Sequence, residues 1–574
     1  MLNLKFIFFS LLTLSLLGLN SCKSEEKEPG RAKPVNGNIY LGGTFRLHVA
    51  EKVDKVFPLI GTNAFSRDVN YQIFEPLLKT DLKTMRTVPN LAKSFSVNEA
   101  GTLYTLIIRD DVYFHDDECF DGEEAKMTVE DVKFSLELAC SDLPINKMSY
   151  LLANRVRGAS IFNKKSKKKL DPRGVSGIQI INDSTISIQL NQPFSGFEKI
   201  LAHSNLCVFP KKAFKKYGLD LPSHSIGTGP FLFAENTGEK LILKKFDKYW
   251  KVDQYGNRLP YLDGIEMQYK EDKKGELEAF RDSEVEAVLN IPVDQINYVL
   301  GTLQEAQQGG NLIHKVSSKS SMSMMYIGFA NMSEEFSDVR VRKAFNLAVN
   351  RTEVVNSYMG GEGWPATNGF LPPLDFYPND DVKGTPFDAE KAQALLKEAG
   401  FPEGKGFPGL EVYVNAKRNS PQHNMVKGVV DQLNKNLNIN LKIKLCSIQE
   451  RDEAIANGTA KIWRAGWIAD YADPENFLSL FYSRNIGGNN STINSFNYNN
   501  PEFDDILDQA NKEQDEKIRN QLFVLCDQLI IDDAAVMPIL TEDFIILLNG
   551  RVKNFEPNSM EILDFSSIFI KPLR

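Results

Sequence analysis

Few residues in this chain combine a type and a spacing that could do chemistry, and the most pointed is Asp470, inside the stretch Trp463 to Tyr482, WRAGWIADYADPENFLSLFY. Asp473, three residues on, has a structural job: it is a good N-cap, Pro474 suits the first helical position, and Phe477, Leu478 and Phe481 supply an apolar stripe. Asp470 has no such job. It follows an apolar run carrying Trp463 and Trp467, and a carboxylate held there is placed to meet a ligand's positive charge. The bland alternative is an Asp in a turn that bonds to its own backbone.

A second group of acids, six of them between Asp116 and Glu124, lies beside His115. Metal ligation would need regular spacing, which these residues lack, so a solvated loop is the expectation. Gly400 to Gly406 (GFPEGKG) imitates a phosphate loop, but three residues separate the first glycines instead of four, Gly406 stands where Ser or Thr should meet magnesium, and the stretch follows a helix. There is no G-x-S-x-G elbow and no H-E-x-x-H, and the histidines (48, 115, 203, 224, 314, 423) stand one by one. The chain therefore reads as a non-enzyme without cofactor or metal.

Around these residues the composition is that of a globular protein: 574 residues, enough for several core-forming units, with 42% hydrophobic content. The formal charge of −8 argues against a nucleic-acid partner, and the basic run Lys164 to Lys169 is a solvated loop. Residues 1–21 read as a signal segment, with Lys5 ahead of the apolar run Phe6 to Leu19, too short to span a bilayer. Leu19-Asn20-Ser21-Cys22 looks like a bacterial lipobox that would leave Cys22 lipidated, followed by a flexible tether, 22–38. Cys119, Cys140, Cys207, Cys446 and Cys526 are odd in number and widely spaced, which excludes a disulfide scaffold or zinc ribbon and leaves one bridge open.

The elements that must position Asp470 follow from periodicity. Strands are expected over Ile39 to Val49, Leu103 to Arg109, Thr185 to Leu190, Leu241 to Phe246 and Ile439 to Leu445, with a loop from Leu59 to Ser66. Helices are expected over Thr128 to Leu138, Phe336 to Asn350 with Asp338 as cap, Asp388 to Ala399, and about Gln422 to Leu437. The part before 290 is richer in strands and the part from 336 to 460 is α/β, which argues for two lobes.

Several stretches then read together. Phe74-Glu75-Pro76-Leu77, Pro89 to Ser94, Tyr104 to Arg109 with Phe114-His115-Asp116, Glu130 to Ser135, Gly227 to Phe231 (GTGPF), Tyr249-Trp250, Leu259 to Asp263, Asp338 to Ala348, Lys391 to Gly404 and Trp467 to Phe477 match, in order, motifs of one family. The chain resembles the family 5 extracellular solute-binding proteins, the oligopeptide- and dipeptide-binding components of bacterial ABC importers.

That resemblance implies an α/β, two-lobed, periplasmic-binding-protein-like clamp of class II: lobe I from 36–80, 205–290 and 536–574, an extra subdomain at 81–204, and lobe II at 291–535, with hinges near 290 and 536. It implies a peptide ligand whose α-amino group pairs with Asp470, beside a ligand-facing strand that includes Gly466, Trp467, Ile468, Ala469 and Tyr471. Thr62, Asn63 and Ala64 would supply the opposite strand. It also implies delivery to permease subunits, a membrane anchor on Cys22 on the periplasmic side or at the cell surface, and action as a monomer. Two features depart from the family: an acidic insertion, Asp117 to Lys126, and the absence at Thr62 to Ala64 of an acid that some oligopeptide binders carry. An oligosaccharide or metal chelate in the same clamp, or a hydrolase on the same scaffold, are the competing readings.

Overall fold

The computed structural model describes residues 32–61, 63–270, 272–291, 314–374, 376–486 and 493–572. Among these, the strands gather chiefly into three sheets. The first has seven strands, in the order Phe231–Asn236, Lys240–Lys245, Gly264–Tyr269, Thr44–Val49, Ala287–Leu289, Asp543–Asn549 and His314–Ser320. The second has six: Trp364–Pro365, Val536–Thr541, Ser323–Phe329, Ile462–Ile468, Leu410–Val414 and Leu441–Leu445. The third is antiparallel, four strands between Ala92 and Gln189.

Burial of apolar surface divides these sheets into two lobes. Phe45 and Leu47 of the first sheet share one continuous core with Leu106 and Ile186 of the third. The second sheet has a core on each face: Trp463, Phe477 and Phe496 on one side, Ile327, Val412 and Ile462 on the other. The chain crosses between the large sheets from Ser320 to Ser323 and again from Thr541 to Asp543, and the crossings are tied by a bond from the Ser321 N–H to the Glu542 carbonyl, 3.0 Å.

Most periodic segments fold as their sequences require. Thr128 closes a capping box with Asp131 on the helix Val129–Cys140, and Asp338 caps Val339–Leu347. Two expectations change. Ile39 to Val49 is two strands rather than one, because Gly42 and Gly43 take φ of 107° and 86° and turn the chain between them. The loop expected up to Ser66 ends early, since Asn63 starts a helix at Ala64–Ile73, its Oδ1 accepting the Ser66 N–H at 2.7 Å. Cys119, Cys140, Cys207, Cys446 and Cys526 all carry free thiols.

The family-like motifs meet at a buried carboxylate. Glu75 accepts hydrogen bonds from Tyr249 Oη (2.9 Å), Trp250 Nε1 (3.0 Å) and Thr228 Oγ1 (3.1 Å). A Cβ on Gly227 would stand 1.9 Å from the Ile73 carbonyl oxygen, so the GTGPF turn can pack there only as glycine. Burial depresses the pKa of His115 to about 4, and its Nε2 lies 3.0 Å from the Gly229 carbonyl. These motifs are scaffold.

Candidate ligand-binding site

The strand Ile462–Ile468 pairs along its whole length with Ser323–Phe329 on one side. On the other side Leu410–Val414 reaches it at Ile462 and Trp463 only. From Arg464 to Ile468 that second edge has no strand partner among the described residues; one Arg451 Nη1–H reaches the Arg464 carbonyl at 3.4 Å. An unpaired edge of this kind is a template for another extended chain. Gly466 is exposed, Trp467 and Ile468 are half-buried, and Ala469 is buried with its N–H bonded to the Met322 carbonyl at 2.9 Å.

Asp470 stands just past the end of this edge. Its backbone N–H, together with Trp467 Nε1–H, is received by Asn476 Oδ1 at 3.1 and 2.9 Å. The Asp470 carboxylate itself, 25% exposed, accepts no hydrogen bond among the described residues and so is not spent on its own turn. Facing it is His203, 1% exposed. Its Nδ1 accepts the Asn205 N–H at 3.0 Å, which leaves the proton on Nε2; that Nε2 has no hydrogen-bond partner among the described residues and lies 3.7 Å from Asp470 Oδ2. Tyr150 completes the wall, its hydroxyl held well above its ordinary pKa by burial and then by the charge of Asp470. The scattered histidines gave no sequence signal for His203, because the contact spans 267 residues of chain.

The other expected residues divide. Tyr471 is 3% exposed, packs into the core of the first lobe, and donates its hydroxyl to Glu475. Asn63 and Ala64 sit at the start of their helix, with Asn205 Nδ2 holding the adjacent Gly61 carbonyl at 2.8 Å. Thr62, like Cys22, lies outside the described residues. The acidic loop is held by lysines: Asp116 with Lys248 at 3.0 Å, Glu118 with Lys216 at 3.3 Å, and Glu123 with Lys212.

Just beyond Asp470 the two lobes are joined by charge. The helix is Glu475–Leu478 with Pro474 rather than Asp473 at its N-cap, one residue later than expected; Asp473 receives the Glu475 N–H at 3.0 Å, and its carboxylate also takes both arms of Arg519 at 2.9 Å and Lys199 Nζ at 2.7 Å. Burial pushes that carboxyl up, and Arg519 and Lys199 more than reverse it, leaving it well below the usual carboxylate range. Lys199 comes from Phe197–Leu201, a helix of the first core, whereas Asp473 belongs to the second. Gly196, at φ 108°, lets that helix approach, since its Cβ would lie 3.3 Å from Asp473 Oδ2. Arg155 Nη2 adds a second bridge to Glu475 Oε1 at 2.8 Å, and Ser195 a third contact, its N–H to the Asn511 carbonyl at 2.7 Å.

Two lobes joined by ion pairs beside a strand edge with a part-exposed carboxylate at its end have the architecture of a clamp. The family model for bacterial extracellular solute-binding proteins, family 5, matches residues 86–489, and the chain belongs to that family. It is 26% identical over 507 residues to the glutathione-binding protein GsiB of Shigella flexneri, spanning 87% of this chain and 88% of that one. Among solved structures, the periplasmic binding protein DppA of Helicobacter pylori in complex with peptide STSA superposes with a TM-score of 0.77 at 22% identity, covering 93% of this chain and 99% of that one. The binding protein AgaA of A. tumefaciens in complex with agropinic acid gives 0.75 at 22% identity, covering 93% and 99%. No helix among the described residues is long and apolar enough to cross a membrane.

Proposed function

We propose that this chain is the extracytoplasmic binding component of an ABC importer and that its solute is a peptide, held as an added strand along Arg464 to Ile468 with its α-ammonium on Asp470. The observation that carries this reading is the conjunction, among the described residues, of an unpaired strand edge with a carboxylate at its end that accepts no hydrogen bond. Main-chain bonding serves any peptide sequence, and burying an ammonium is costly unless a fixed carboxylate meets it. Trp467, Ile468 and Ala469 follow Gly466 along that edge, and Asn63 with Ala64 face it from the first lobe in this reading, with Thr62 beside them. Tyr471 serves by anchoring the Asp470 turn in the first core. Closure turns on the crossings at 320–323 and 541–543 rather than near 290 and 536, because His314–Ser320 joins the first sheet and Val536–Thr541 the second, and ligand shifts the population toward the closed form because only that form contacts it from both sides. Cys22 carries the lipid anchor, the protein works as a monomer, and permease subunits receive the solute.

The relatives support a peptide-like ligand through the glutathione and STSA in their names. A second reading, a non-peptide solute in the same clamp, is favoured by the complex of AgaA with agropinic acid. Mass spectrometry of solute retained by the purified protein, followed by calorimetry with free tri- and tetrapeptides and with glutathione, separates them. Retained peptides that rebind support the proposal; a retained solute without an amino group, with no binding of any peptide, overturns it.

A further inference from the structure

One short piece of the first lobe meets two acids just past the strand Ile462–Ile468, and it meets them differently. Lys199, on the helix Phe197–Leu201, brings Asp473 a cation at 2.7 Å, and Arg519 brings a second at 2.9 Å, so that carboxylate is satisfied and serves the junction. Four residues after Lys199 the same piece presents His203, 1% exposed, to Asp470. Ala202 and Leu206 beside it belong to the first core, whereas Ala469, next to Asp470, belongs to the second, so the pair spans the lobes.

The His203 ring is held by its own turn. Its backbone N–H bonds to the Ile200 carbonyl at 3.0 Å, its carbonyl accepts the Leu206 N–H at 2.9 Å, and Nδ1 accepts the Asn205 N–H at 3.0 Å. With Nδ1 occupied the ring's proton is on Nε2, which meets no acceptor among the described residues and lies 3.7 Å from Asp470 Oδ2. A buried N–H without an acceptor is costly, and so is a part-buried carboxylate without a donor. The two stand just short of the bond that satisfies both, since 3.7 Å exceeds hydrogen-bond length. The kind of donor matters as much as its place. A lysine or arginine here would neutralise Asp470, as Lys199 and Arg519 neutralise Asp473, and would repel an arriving ammonium; a neutral imidazole N–H orients the carboxylate and leaves its charge for the ligand.

We propose that His203 is a positioning residue for Asp470: as the lobes close on ligand, its Nε2–H donates to Asp470 Oδ2 and turns the other carboxylate oxygen to the ligand's ammonium. Because the donor comes from one lobe and the carboxylate from the other, recognition of the amino terminus is complete only in the closed clamp. The inference rests on the reading of Asp470 as the partner of that ammonium, and His203 itself touches no ligand in it.

The test is calorimetry on the intact protein with one tetrapeptide, its amino terminus free or acetylated, comparing wild type, H203F, H203Q, D470N and H203F/D470N. H203F keeps a ring without an N–H, and H203Q returns an N–H near the place of Nε2. The free peptide binds H203F roughly tenfold more weakly than wild type, the size of one hydrogen bond to a charged group. The acetylated peptide binds H203F within twofold of wild type, which also shows that the variant folds; H203L is read in its place if the larger ring does not fold. H203Q recovers to within threefold of wild type, and on D470N the His203 substitution changes neither peptide by more than twofold. A side chain that merely supports the fold would weaken both peptides alike. Equal losses for the two peptides, no loss at all, a loss that persists on D470N, or H203Q as weak as H203F, each overturns the role of His203 while the wild-type preference for a free terminus stands. If wild type binds free and acetylated peptide alike, the Asp470 reading falls first, and this inference with it.

Discussion

Replacing Lys199 by methionine tests whether the charges beyond Asp470 hold the lobes together. Lys199 Nζ is 2.7 Å from Asp473 Oδ2, and the two side chains are 26% and 2% exposed. After the substitution Asp473 keeps the Arg519 fork at 2.9 Å, so no carboxylate is orphaned and the loss is that of one charge-assisted hydrogen bond, about 1.5–3 kcal/mol. Lysine regains water when the lobes part, which brings the effect on closure to about 1–2 kcal/mol. The partners belong to different cores, so the cost falls on the closed state alone. A protein that opens when empty then loses apparent affinity in proportion, roughly 5- to 30-fold in Kd, although Lys199 touches no ligand in this account. Calorimetry gives the Kd, and small-angle scattering of the empty protein gives the opening as a larger radius of gyration. Arg519→Met is the contrast: both partners lie in the second lobe, so it lowers the Tm of open and closed forms alike. A K199M protein with unchanged Kd and unchanged scattering would refute the latch.

Glu75→Gln removes the charge that receives Tyr249, Trp250 and Thr228, at a cost of about 2–4 kcal/mol from its buried bonds; Tm falls by several degrees, and the ligand Kd stays within twofold if the motifs around it are scaffold. Burial raises the carboxyls of Asp68 and Asp527 to about 7, so the folded state holds protons that an unfolded carboxylate releases near pH 4. Their contribution is full below about pH 4 and is lost as pH climbs through about 7. Thermal scans of the empty protein therefore show Tm falling from pH 5 to pH 8, with a shallower slope in D527N; a flat or rising profile contradicts the assignment.

The scaffold was legible because its signals are local. Thr128 and Asp131, Asp338, and the alternation of Thr185 to Leu190 each declare an element within a few residues. The site was half legible. Asp470 could be picked out because Asp473 already accounted for the helix start, yet the cap position fell to Pro474 and Asp473 proved to be a junction, whose partners Lys199 and Arg519 lie far away in the chain. His203 carried no signal at all: it is a lone histidine that acquires meaning only from the partner that the fold brings to it from far along the chain. The missed break at Gly42 and the early helix at Ala64 reflect single residues, a glycine pair and an Asn cap, overriding a periodic pattern.

The central claim is that Asp470 receives the α-ammonium of a peptide lying along the Arg464 to Ile468 edge. The most direct measurement is the ratio of Kd values for one tetrapeptide with its amino terminus free and acetylated, on wild type and on D470N. The account predicts a ratio of at least a hundredfold on wild type, from the loss of a buried ion pair worth about 3–5 kcal/mol, collapsing to a few-fold on D470N. Free and acetylated peptides that bind wild type alike would contradict it.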